Sequence, residues 1–282
     1  MHKALSKILA ELPIPTRPEI MVKVSAECSK ETPDLTKLSH LISKDVGLSG
    51  SILQTINSPQ FGLSVKVHSI QHAINLLGIN KVTTLVQAAA FRSTFNTPPE
   101  YKAFLDDAHD IALIMTAIAN RLGSIETDIA YCVGLFHDCG IHILMTYFPD
   151  YAEFYKRNLT STETLSTLEF EQFQVTHARV SGELCRRWFL SSSVVIAVEN
   201  HCRAFSELNA KFPNELYKLS IIAILKMAIA INFEINKFYR KDISVEIDWR
   251  NNAEAVLLFL GLSELDYFIL CDDVVNNLEN IN

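Results

Sequence analysis

Apolar residues recur at spacings of three and four along nearly the whole chain, and strict alternation is almost absent. The sequence therefore predicts an all-α protein. The periodic segments are 3–11, 19–30, 35–43, 46–56, 69–77, 81–94, 100–121, 126–139, 141–147, 150–157, 164–172, 175–189, 192–202, 215–235, 252–260 and 263–278. Local punctuation supports them. Asp34 and Ser69 have N-cap chemistry for the helices that follow, while Gly78 and Gly123 fit C-terminal stops. Pro13, Pro15 and Pro18 predict a stiff extended segment before the second helix. Residues 57–62, NSPQFG, predict a turn that returns Phe61 to the preceding helices as a core anchor. Residues 236–251 mix charges with Val245 and Ile247 and read as a loop or a brief extended piece.

The best internal boundary is the helix-breaking run Asn96, Thr97, Pro98, Pro99. It divides the chain into an N-terminal helical subdomain, 1–97, and a larger helical domain, 98–282. With 49% hydrophobic residues over 282 positions, either one large core or two ordinary ones can form. The six cysteines have no CxxC pairing and sit in apolar stretches, as expected for core thiols of a reducing compartment.

Nothing at the start reads as an export signal, and Lys226 interrupts the most hydrophobic stretch, residues 219–233, which reads as a buried helix. The expectation is a cytoplasmic protein without a membrane role. A formal net charge of −7, with no basic run, argues against a nucleic-acid partner, although Lys66, Lys81 and Arg92 could form a local basic face.

Candidate chemistry lies after the boundary. His109, His137, Asp138, His177 and His201 are polar residues set at the edges or ends of apolar helical stripes. Imidazoles with a carboxylate are the donor mix of a divalent transition-metal pocket. Each histidine alone is more often a satisfied core or surface imidazole; together they make a cluster plausible. Adjacent His137 and Asp138 cannot point the same way from a regular helix, and Gly140 offers the backbone freedom for both to reach one ion. Arg179, Arg186 and Arg187 are candidates for phosphate or partner contact, against the plainer reading of an exposed helical face. Cys139, beside Asp138, reads as an inert neighbouring thiol.

The ordered motifs LPIPTRPEI at 12–20, Ile42-Ser43-Lys44-Asp45, INSPQFG at 56–62, SIQHAINLLG at 69–78, GLFHDCG at 134–140 and HARVSGELCRRW at 177–188, with His109 and His201, carry a family resemblance. Over roughly residues 10–235 the chain resembles the HDOD family, a helical branch of the HD metal-dependent phosphohydrolase superfamily. The resemblance implies a multi-helical HD-like bundle and a bacterial signalling context. It also implies metal-binding positions at His109, His137 and Asp138, with His177 and His201 as the further histidines of two-metal variants. Two departures stand out. Ile141 occupies the lysine position of the HDxGK form, and the helix ILKMAIA, 224–230, lacks the last aspartate, with Ala228 aligned to that position.

The sequence thus favours a regulatory module that binds a protein partner or a small nucleotide-like ligand. It would retain part of a site for one or two Zn, Ni, Fe or Mn ions, or hold no ion at all. The alternative is a metal-dependent phosphohydrolase acting on a phosphoester or nucleotide, and the sequence leaves open whether the protein is an enzyme.

Overall fold

A computed structural model of the chain describes residues 2–94, 102–236 and 243–279, and every regular element among them is helical. The N-terminal helices are α1 (His2–Glu11), α2 (Glu19–Cys28), α3 (Leu35–Ser43), α4 (Val46–Ile56), α5 (Ile70–Leu77) and α6 (Ile79–Thr94). They are followed by α7 (Lys102–Leu122), α8 (Thr127–Phe136), α9 (Cys139–Tyr147), α10 (Tyr151–Asn158), α11 (Leu165–Phe173) and α12 (His177–Arg187). The chain continues through α13 (Ser192–Asn200), α14 (Phe205–Lys211), α15 (Leu216–Asn236), α16 (Ile243–Leu260) and α17 (Glu264–Glu279).

Capping follows the sequence. Asp34 accepts from Lys37 N at 3.0 Å and Ser69 from His72 N at 3.1 Å, each satisfying a backbone donor that the first helical turn leaves unpaired. Gly78 and Gly123 end their helices at φ 85° and 64°. Phe61 is buried against Tyr131 of α8, with ring centroids 6.0 Å apart, at the end of a 3-10 turn, Pro59–Phe61. Asn57 pins the loop that follows through paired bonds to Val67, both 2.7 Å.

The predicted boundary at residues 96–99 lies outside the described residues. Buried side chains on both sides of it, from Leu9 to Val274, belong to one hydrophobic core. Phe91 of α6, Phe136 of α8 and Trp188, just after α12, form an aromatic cluster at its centre, with Phe91 and Phe136 rings 4.4 Å apart. The Trp188 indole donates to Pro15 O at 3.0 Å, and the Arg187 guanidinium donates to Leu9 O at 2.8 Å. These bonds tie α1 and the proline-rich segment to the C-terminal end of α12. Helix α15 is long and apolar enough to cross a bilayer, yet most of it is buried among other helices.

Three sequence expectations are corrected. The segment 126–139 is not one helix: α8 ends at Phe136 and α9 begins at Cys139, with Asp138 at φ −107° and ψ 9° between them. In the segment 236–251, residues 243–251 belong to helix α16, whose buried Val256 and Leu257 join the core and whose Lys226 and Asn252 contacts fix it to its neighbours. Helix α14 was not anticipated, because seven residues are too few for a periodic signal.

Gly134 sets the spacing of the two central helices. A Cβ there would lie 2.5 Å from Ala112 Cα and 2.8 Å from Ala112 N, so α7 and α8 meet backbone to backbone. Gly134→Ala is expected to destabilise the protein by about 2 kcal/mol through overpacking, lowering the melting temperature by roughly 4–8 °C. Thermal denaturation of the variant against wild type checks this.

Candidate metal centre

The break between α8 and α9 places His137 and Asp138 side by side at a helix junction. Across from them, α12 begins with His177, and α13 is followed by His201 and Cys202. Gly140 brings these parts together, though not by the backbone freedom expected of it. It lies within α9, where a Cβ would fall 2.1 Å from His177 O, and its N–H donates to Ser181 Oγ at 2.8 Å. Only glycine lets α9 lie this close to α12.

Each of three imidazoles is held by its Nδ1. His137 Nδ1 donates to Gly134 O at 2.7 Å and His201 Nδ1 to Val198 O at 2.8 Å. A carbonyl can only accept, so Nδ1 carries the proton. His177 Nδ1 lies 2.9 and 2.8 Å from the two carboxylate oxygens of Glu169, which also accepts from His177 N at 2.8 Å and from the Tyr151 hydroxyl. Glu169 is fully buried. It orients His177 as a buried carboxylate orients a metal-ligating imidazole.

The Nε2 atoms face inward. Asp138 Oδ1 is 3.4 Å from His177 Nε2 and 3.2 Å from His201 Nε2, while Asp138 Oδ2 is 3.3 Å from His137 Nε2. Cys202 Sγ lies 3.2 Å from His177 Nε2 and 3.1 Å from His201 Nε2. Asp138 Oδ1 is buried, and no backbone or hydroxyl donor reaches it. The donor atoms of His177, His201 and Cys202 thus lie within 4.8 Å of one another, and the Asp138 carboxylate reaches both imidazoles, an arrangement that protons on Nε2 or a bound cation would satisfy. Ligands about 2.0–2.3 Å from a tetrahedral ion sit roughly 3.3–3.7 Å from one another, close to the distances of Asp138 and Cys202 from the two imidazoles. The donor set fits a transition metal, and the sulfur favours a thiophilic one over Mn.

Ionisation expresses the same demand. Burial opposes charge on every group, yet the neighbours prevail. Asp138 is held well below the carboxylate range by His137, His201 and His177. His201 rises to about 10 through Cys202 and Asp138, and His177 rises well above its usual value through Glu169 and Cys202. Burial pushes the Cys202 thiol up, and the imidazoles of His201 and His177 more than reverse it, to about 6. Cys139 is the opposite case: burial raises it to about 12, as expected of an inert thiol.

His109 stands on other contacts. Its Nδ1 is 3.2 Å from the Tyr131 hydroxyl, with the rings edge-on at 6.0 Å. Arg179 and Arg186 both pair with Glu199, and Arg187 pairs with Glu183 at 3.1 Å besides its bond to Leu9 O. Arg179 lines an open groove with Arg203 and Lys211, whereas Arg186 and Arg187 are not among its lining residues.

A cavity of about 110 Å³ adjoins the cluster, lined on its inner side by Asp138, His177, His201 and Cys202. Ile141 borders it without charge. The face of α15 turned to the cavity carries Lys226, Ile229 and Ala230, spaced three and four apart. Ala228 is buried and is not among the residues that line the cavity. Sequence reasoning passed over three residues. Cys202 had the signal of following His201 directly, and Lys226 that of a charge inside an apolar run. Glu169 had none, since its role depends on α11 folding against α12.

Comparison with known proteins agrees with this architecture. The chain superposes on a protein from Shewanella amazonensis SB2B with a provisional phosphohydrolase name at a TM-score of 0.70 and 20% identity, covering 97% of this chain and 93% of the other. An HDOD domain protein of unknown function from Geobacter sulfurreducens superposes at a TM-score of 0.67 and 17% identity, over 98% and 94%. Among curated sequences, an uncharacterised protein of Treponema pallidum (strain Nichols) is 24% identical over 225 residues, 77% of this chain and 42% of its own length. The uncharacterised YuxH of Bacillus subtilis (strain 168) is 39% identical over 66 residues, 23% of this chain and 16% of its own length. The chain spans under half the length of both curated relatives. The HDOD domain profile matches residues 14–204, which is more than half of the chain and takes in His137, Asp138, His177, His201 and Cys202; the protein belongs to the HDOD family.

Proposed function

We propose that this protein is a regulatory HDOD module that acts by binding, with a closed metal site as the anchor of a small-ligand cavity. The observation that carries the reading is the donor ring itself. His177, His201 and Cys202 place three donors within 4.8 Å of one another and Asp138 touches both imidazoles, so an ion held there would draw four positions from protein, as in a structural site, whereas a hydrolytic centre keeps one position open. His137 would support the ring through the other oxygen of Asp138.

A bound divalent ion would supply charge that neutralises the converging lone pairs and ties three chain segments together. The residues do the rest: Glu169 fixes the His177 ring, and the Gly134 and Val198 carbonyls fix His137 and His201. Ile141 and the carboxylate-free face of α15 support binding over hydrolysis, since both remove groups that phosphoester hydrolysis uses. The effector would be a small nucleotide-like ligand in the cavity, and the output contact with a protein partner.

The phosphohydrolase reading has one observation in its favour, namely that the cavity opens directly onto the cluster.

Protein purified without chelator or histidine tag should contain one transition metal per chain by elemental mass spectrometry, lost in His201→Ala, and should show no metal-dependent turnover of phosphoesters. Turnover abolished by both His137→Ala and Asp138→Ala would establish the enzyme instead. Glu169→Gln should weaken metal retention about 10–100-fold in competition with a chelator while the helical circular dichroism stays native.

A further inference from the structure

We propose that Lys226 and Ser166 form a phosphoryl-binding end of the cavity beside the metal cluster, and that Asp248 is the internal competitor which the ligand displaces. This deepens the reading of the cavity as a small-ligand site and does not require the metal.

Lys226 sits mid-helix in the most apolar segment of the chain, with its side chain 1% exposed. Burying an ammonium is costly without full pairing, so a cation retained there needs a reason. Its hydrogen-bond partner is Asp248 of α16, at 3.0 and 3.3 Å. An ammonium has three donors, and this carboxylate approaches from one side only. Both residues line the cavity.

The pair is unequal. The Asp248 side chain is 32% exposed, and Asn252 Nδ2 donates to its Oδ1 at 3.1 Å. Once parted from Lys226, Asp248 keeps a partner and access to water, whereas Lys226 has neither. The cation is therefore the member that must be satisfied by whatever fills the cavity.

Ser166 supplies the second observation. Its Oγ is buried without a hydrogen-bond partner and the residue lines the same cavity. A buried hydroxyl left unpaired costs free energy that a ligand acceptor would recover. Lys226 comes from α15 and Ser166 from α11, so a group that satisfies both must offer several oxygens in different directions. A phosphoryl group does so, and its greater negative charge competes with the single charge of Asp248 for the ammonium. Thr164, Tyr155 and Trp249 also line the cavity. The cation missing at Ile141 is thus supplied from another helix.

The test is calorimetric titration with inorganic phosphate and with methyl phosphate, on protein as purified and after chelation, with melting temperatures recorded for every variant. Wild type should bind one phosphate per chain. Lys226→Met should bind at least about tenfold more weakly, and Ser166→Ala a few-fold more weakly. Asp248→Asn should bind a few-fold more tightly, because the competitor is gone. The opposite signs distinguish a binding site from a merely structural ion pair, whose loss would act the same way from either end.

Equal affinity in wild type and Lys226→Met would overturn the proposal, as would weaker binding by Asp248→Asn or no saturable binding by folded wild type. Lys226-dependent binding by protein that holds no metal would uphold this site while removing the metal anchor. Metal-loaded protein whose phosphate binding ignores Lys226 would do the reverse.

Discussion

Hydrogen-bond acceptors do not gather around a common point unless something positive stands there. In this protein the Nε2 atoms of His177 and His201 are each met by the Asp138 carboxylate and the Cys202 sulfur at 3.1–3.4 Å, while the opposite ring nitrogens are committed to Glu169 and Val198 O. The second row of bonds removes the freedom by which these rings could turn away. The demand for a proton or a cation between these groups is therefore built into the fold.

The arrangement rests on two local features. The helix breaks between Phe136 and Cys139, so neighbouring His137 and Asp138 present their side chains to one region, which a continuous helix forbids. Gly140 then lets α9 approach α12 closely enough for Asp138 to meet His177. Gly134 does similar work one layer back, where α8 rests on α7. Small residues at the crossings fix the distance, and the polar residues take their positions from it.

Much of the fold was legible in the sequence because helical periodicity, caps and glycine stops are local signals. Asp34, Ser69, Gly78 and Gly123 act as their chemistry predicts. Helix α16 was hidden because its charges and β-branched residues suit a loop or strand in isolation; contacts with α15, including Lys226, make it helical. His137, Asp138, His177 and His201 were legible as candidates, yet their convergence was not, because it depends on helix crossings that sequence spacing does not encode. Cys202 and Lys226 were visible as letters but lacked meaning until α13 and α15 met at one cavity. His109, equally prominent in sequence, meets Tyr131 instead.

The central claim is a closed metal site of mixed sulfur, nitrogen and oxygen character built on the HDOD fold. X-ray absorption spectroscopy on the purified protein tests it most directly, since it reads the atoms bonded to the ion without reference to any activity. The account predicts a four-coordinate first shell with one sulfur, from Cys202, among nitrogen and oxygen donors. A shell of oxygen and nitrogen alone with an added solvent position, unchanged in Cys202→Ala, would contradict it.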